Sequence, residues 1–187
     1  EHRLFNEVRL KIAAETEAIQ GNARLIGMLD CYVSFAECAE QYNYVKPDIE
    51  NSDEIFIEEG RHPVVERILP PGEKFTPNST KLKNSEDQII ILTGPNMAGK
   101  SVFLRQVGLI VLMAQTGSFV PAKEARIGIV DKIYTRVGAS DNISAGESTF
   151  LVEMQEAANI LNNATNKSLI LLDEIGRGTS TFDGISI

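Results

Sequence analysis

Residues 88–101 read QIIILTGPNMAGKS, and the architecture turns on them. QIIILT, at 88–93, is a continuous apolar run of the kind that forms a strand buried on both faces of a parallel sheet. Gly94–Ser101 follows at once and fits G-x-x-x-x-G-K-[ST] at every fixed position. A helical pattern then runs from Lys100 to about Gln115, where Thr116-Gly117 ends it. Strand, glycine-containing turn and helix form the context in which this motif cradles phosphate. Gly94 and Gly99 let the backbone turn tightly and approach an anion. Several loop N–H groups then point inward, and the helix N-terminus adds partial positive charge. Lys100 places an ammonium against the β and γ phosphates of a nucleotide, and Ser101 a hydroxyl where Mg²⁺ would sit. Asn96 lies in the loop, within reach of a γ-phosphate or of an attacking water. Pro95, Met97 and Ala98 complete the candidate binding stretch.

A second apolar run, SLILLD at 168–173, ends in Asp173-Glu174. An aspartate at the end of a buried strand can bind Mg²⁺ through water and complete a metal site with Ser101. Glu174, one residue on, is placed to polarise a water as general base. Acids that merely cap a strand end are common, so the pair gains its weight from the phosphate loop beside it. Both motifs fall at the carboxyl ends of strands, where open α/β sheets bind ligands. Transfer to a small hydroxyl is an alternative chemistry, but the Asp-Glu pair favours water as nucleophile.

Between these runs, residues 125–137 read as two short strands. ESTFLVEMQEAANIL, at 147–161, reads as a helix with Ser148 and Thr149 as cap candidates. Residues 174–184, EIGRGTSTFDG, form a glycine-rich loop. Upstream, residues 3 to about 41 read as helix: Leu4, Val8 and Ile12 recur at i,i+4, and after a phase shift come Ile19, Ala23, Ile26 and Val33. Gly21 and Gly27 weaken this helix and are the expected break points. Pro47 ends it, Glu54–Glu58 alternates like a strand, 60–63 is a turn, and 70–85 is rich in loop residues. The expectation is an α/β domain over 46–187 with a largely parallel sheet, preceded by a helical segment over 1–45.

Composition narrows the function. With 43% hydrophobic and 24% charged residues a core can be buried, and no run approaches the roughly 18–20 apolar residues of a membrane helix. The opening EHRLFNEVRLK is charged from its first residue and does not read as a signal peptide. A net charge of −8 makes this segment a poor DNA-gripping surface. Cys31 and Cys38 share a helix face too far apart to bridge. They read as small buried hydrophobes in a reducing, cytoplasmic compartment, without the second pair that zinc requires. An uncapped helical start and an apolar run barely begun at Ile187 read as a fragment of a larger protein.

GPNMAGKS, FVPA (119–122), TRVGASDNISAGESTFLVEM (135–154) and LLDEIGRGTSTFDG (171–184), with GRHPVVE (60–66) upstream, occur in this order. They resemble the MutS family of DNA mismatch-repair ATPases. The resemblance covers nearly the whole chain, strongly from about residue 40. It implies an ABC-type P-loop ATPase domain with the end of a helical core before it, binding ATP and Mg²⁺. It implies that Phe75, in FTPN, stacks on adenine and that Lys100, Ser101 and Asn96 contact phosphate and magnesium. Asp173 looks like the metal-site acid and Glu174 like the catalytic base. Ser148 looks like the signature residue that reaches the γ-phosphate of a partner subunit, and 176–184 like a dimer-contacting loop. The implied partners are a second MutS-like subunit, mismatched DNA held by domains absent here, and a downstream repair protein.

Several residues also have plainer readings. Phe75 is alternatively a core aromatic, and Ser148 a helix cap. His62 reads as a structural hydrogen-bonder, Arg105 and Arg136 as surface or interface charges, and Asp141 and Asn142 as loop-shaping residues. Ala98 stands where many members carry a second glycine, which is tolerable if φ is negative there. Glu147 stands where some relatives carry a basic residue. Only His2 and His62 are present, and neither fits the family's switch histidine. Two alternatives to a hydrolysing domain of a mismatch-recognition protein stay open: a nucleotide-gated dimerisation module with little hydrolysis, and a recombination-type relative.

Overall fold

The computed structural model describes residues 1–136 and 149–176. The chain divides into two compact units, Glu1–Asn43 and Tyr44–Ile187.

The first unit is two helices, α1 (His2–Ala14) and α2 (Thr16–Tyr42). The break falls at Glu15, not at Gly21 or Gly27. Thr16 Oγ1 donates to the Ala13 carbonyl at 2.8 Å, a local bond that competes with the helical ladder. The break coincides with the phase shift between Ile12 and Ile19. An isolated helical glycine costs only about 1 kcal/mol, so both glycines stay helical. Asn43, left-handed at φ 52, ends α2 with its N–H on the Ala39 carbonyl. Neither helix contains a buried residue. The apolar stripe and both cysteines, expected to be buried, are exposed, because the unit has no second layer to cover one face.

The second unit carries the core. Its larger sheet has four strands, β1 (Asp48–Glu50), β2 (Glu54–Gly60), β3 (Asn78–Lys83) and β4 (Glu124–Gly128), in the order β1-β4-β2-β3. Only β1 and β4 run parallel, and β2 is antiparallel to both neighbours. The expected largely parallel sheet is therefore corrected to a mixed one. The alternating burial of β2, with Ile55 and Ile57 inward, is the half-solvated pattern of antiparallel strands. β3 also lies inside the stretch read as loop. Its Thr80 and Leu82 share the inward face and were too few to register as alternation. A separate pair, β5 (Ile133–Arg136) and β6 (Leu169–Leu172), is parallel.

Among the described residues three helices complete the unit: the short α3 (Val65–Ile68), α4 (Lys100–Gln115) and α5 (Thr149–Asn163). α4 packs against both β2 and β6. Its Val107, Ile110, Val111 and Ala114 join Ile55, Ile57, Val120, Ile127, Leu169 and Leu171 in one buried cluster. Gly108 allows the contact with β6, since a Cβ there would fall 2.7 Å from Leu171 Cδ1.

The run at 88–93 departs most from expectation. Among the described residues it joins no ladder. Ile89 and Ile91 are 79% and 82% exposed, whereas Ile90 is 41% exposed and Leu92 half-buried. It is thus a largely exposed segment, not a strand covered on both faces. Apolar residues specify burial but not a hydrogen-bonded neighbour, and β6 is paired here to β5 alone. Ile89, Ile90 and Leu92 instead line an open cavity of about 500 Å³ with Phe103, Leu104 and Leu171.

Gly128 supports a direct test of this packing. A Cβ there would collide with the Ser52 carbonyl oxygen and lie 2.9 Å from that of Glu54. Gly128→Ala is expected to cost about 2–3 kcal/mol in urea unfolding. Gly21→Ala, with nothing within 4 Å, is expected to gain about 0.5–1 kcal/mol.

Candidate phosphate-binding site

The loop Gly94–Gly99 delivers the chain into α4 with three residues at positive φ, the first of them Gly94 at φ 153. Gly99, the N-cap, has φ 88, and Met97 has φ 64. Ala98 is absent from the positive-φ residues, so its methyl is accommodated as the sequence reading required. Ala98 N–H donates to the Pro95 carbonyl at 3.3 Å, closing a tight turn. The Met97 side chain is fully exposed, so what it offers an anion is its backbone.

No side chain caps α4. The first-turn N–H groups of a helix have no intrahelical acceptor. Lys100 Nζ donates to the Gly94 and Pro95 carbonyls at 2.8 and 2.9 Å. The ammonium is thereby folded over the loop's own carbonyls. Ser101 is half-buried in the first turn, and Asn96 is exposed on the loop.

The acidic side is built on β6. The Asp173 N–H donates to the Arg136 carbonyl at 2.8 Å, which extends the β5–β6 register and fixes Asp173 at the strand end, half-buried. Glu174 follows, exposed and left-handed at φ 51. Phe103, two residues after Ser101, and Leu172, one before Asp173, line the same cavity. The loop residues Gly94–Ser101, Asp173 and Glu174 are not themselves among the residues that line it. Phe75 is half-buried in the loop between α3 and β3 and does not line that cavity. Ser148, Glu147, Asp141, Asn142 and 177–184 lie outside the described residues.

Other charged residues have structural work. His62 is buried, and its Nδ1 accepts the N–H groups of Val64 and Val65, each at 3.2 Å. It caps the entrance to α3, as the structural reading expected. Arg61 pairs with Glu66 at 2.7 Å. Arg105 is exposed. Arg136, read as a surface or interface charge, has a side chain 14% exposed that lies 2.8 Å from Glu156 of α5.

Two residues escaped the sequence reading. Gln106, fully buried on α4, donates to the Asn78 carbonyl at 3.5 Å, where the Phe75 loop enters β3. Glu153, 4% exposed on α5, accepts the Gly176 N–H at 2.9 Å. Its signal was present: Glu153, Ala157 and Ile160 recur at i,i+4,i+7, which puts a carboxylate in an apolar stripe.

Known proteins match this sequence. The family model described as MutS domain V matches residues 90–187, more than half of the chain. The DNA mismatch repair protein MutS of Salinibacter ruber is 65% identical over 187 residues, all of this chain and 21% of that protein. The proteins of the same name from Christiangramia forsetii and Phocaeicola vulgatus are 62% and 61% identical over the whole chain, each across 22% of its length. The chain belongs to the MutS family. It spans about a fifth of the length of the curated relatives it matches. No helix among the described residues is long and apolar enough to cross a membrane.

His62 makes stability depend on pH. Burial pushes its pKa below the ordinary 6.5, and the Arg105 charge adds to this. The unfolded chain therefore binds the proton more tightly, and stability falls as pH drops below about 6.5. Melting temperature is expected to be lower at pH 5.5 than at pH 7.5. His62→Asn should flatten that part of the profile; an unchanged slope would show that other groups cause it.

Proposed function

We propose that this chain is the ATP-binding and hydrolysing part of a DNA mismatch-repair recognition protein, with an ABC-type P-loop architecture. One observation carries the reading: the Lys100 ammonium lies across the Gly94 and Pro95 carbonyls at the uncapped N-terminus of α4. A cation and a set of free helix N–H groups aimed at one place suit a polyphosphate. The Salinibacter protein is named for mismatch repair, which supports the wider role.

Under this reading Lys100 exchanges two carbonyl contacts for phosphate oxygens, a charge-assisted bond that is the stronger of the two. The loop amides and first-turn N–H groups hold the β and γ phosphates in line. Asn96 contacts the γ-phosphate or the attacking water, and Phe75 stacks on the adenine. The residues present also fit Mg²⁺. Among the described residues no group of three His, Cys, Asp or Glu could hold a metal. Mg²⁺ takes few protein ligands and keeps water and phosphate oxygens. The Ser101 hydroxyl and Asp173 carboxylate are such sparse, hard oxygen donors, and the ion would neutralise charge developing on the phosphates. Glu174 accepts the proton of the attacking water. Ser148 completes the site of a second MutS-like subunit, which couples nucleotide state to dimer contact. Mismatched DNA is held by other parts of the full-length protein, and a downstream repair protein reads the nucleotide state. The net charge of −8 agrees with DNA contacts lying elsewhere.

Mg·ATP at about 100 times its dissociation constant should add roughly 2.7 kcal/mol and raise the melting temperature by roughly 5–10 °C. Lys100→Ala should abolish the shift, and a shift that survives it would place the nucleotide elsewhere. Glu174→Gln should lower ATP turnover by at least about 100-fold while leaving ATP binding within about threefold. Undiminished turnover in that variant would remove Glu174 as the base.

A further inference from the structure

Glu153 is a buried carboxylate that the mechanism above does not use. It lies in the first turns of α5, 4% exposed, on the face that also buries Ile160. A carboxylate is costly to bury unless a donor meets it. The donor here is the Gly176 N–H, 2.9 Å from Oε1 and 23 residues along the chain.

What this bond encloses gives it meaning. The turn after β6 holds the two acids assigned to the metal and the water. At its start, the Asp173 N–H is fixed by the Arg136 carbonyl at 2.8 Å. At its end, the Gly176 N–H is fixed by Glu153. Between them Glu174 has φ 51, and Gly176 has φ 82. A glutamate in the left-handed region persists only where its surroundings impose it. α5 is in turn held to β5 by Arg136 and Glu156, 2.8 Å apart. The turn is clamped at both ends, and α5 is the rigid element behind the second clamp.

We propose that Glu153 is a positioning residue that sets the direction of the Glu174 carboxylate by anchoring Gly176. The inference rests on the assignment of Glu174 as base. It gives Glu153 no contact with substrate, so its loss acts on the rate of the chemical step and not on nucleotide affinity. Glu153→Gln keeps a carbonyl oxygen to accept the Gly176 N–H, whereas Glu153→Ala removes the acceptor.

The test is steady-state ATP turnover and Mg·ATP binding in the full-length protein. Glu153→Ala is expected to lower kcat by at least about tenfold with the Kd for Mg·ATP within about threefold. Glu153→Gln should recover kcat to within about threefold of wild type. In a Glu174→Gln background, Glu153→Ala should change the residual rate by less than about twofold, because the two act through one group. A wild-type kcat in Glu153→Ala, or a full additional loss in the Glu174→Gln background, overturns the proposal. If the alanine variant does not fold, Glu153→Asp keeps the charge but withdraws it by one methylene. It carries the same expectation, and a normal kcat in it also overturns the proposal. Failure of the underlying assignment is distinguishable: Glu174→Gln alone would then leave turnover intact, whatever Glu153 does.

Discussion

α4 is pressed between two sheets on one side and ends in uncapped N–H groups on the other. Val107, Ile110 and Val111 are each no more than 2% exposed, and Gly108 brings the helix against Leu171 of β6. At about 25 cal/mol per Å² of buried apolar surface, this interface is the strongest local reason for the helix to hold its position. The consequence is geometric. A helix fixed by its middle presents its first turn at a fixed place, so the loop before it can be small and still be ordered by the helix it enters. The placement of the Gly94–Gly99 loop, the proposed phosphate cradle, is a by-product of how the core is packed.

The same helix packs against β6, the strand that leads into Asp173 and Glu174. Phe103 and Leu104 of α4 and Leu172 of β6 line one cavity. A shift of α4 would therefore move Lys100 and Ser101 relative to Asp173 and Glu174. Gln106 extends the link toward Asn78 and the loop that carries Phe75. In the proposed site, cation, hydroxyl, acids and aromatic would come from separate stretches of sequence that share one buried helix as reference.

Much of this was legible in the sequence because it rests on local chemistry. α4, β4, β5, α5 and β6 follow from apolar periodicity and from Thr116-Gly117, whose Gly117 has φ 90. The left-handed entry to α4 follows from Gly99. What the sequence did not show is pairing. The isoleucines of 88–93 say that the run avoids water and do not name the strand beside it. β3 was hidden in a loop-like composition because only Thr80 and Leu82 mark its inner face. The exposed Cys31 and Cys38 show the converse limit, since an apolar stripe states a preference for burial but not the surface that satisfies it. Glu153 was readable in principle as a carboxylate on an apolar stripe, but its partner, Gly176, is set only by tertiary structure.

The backbone of the loop and of the first turn of α4 is thus cast as the anion receptor itself. Amide NMR of the ¹⁵N-labelled protein, titrated with magnesium tripolyphosphate, tests this without contributions from adenine. The largest shifts are expected on the N–H groups of Asn96 to Val102, with Asp173 and Glu174 responding next. Saturable shifts centred elsewhere, or none in that stretch, would contradict it.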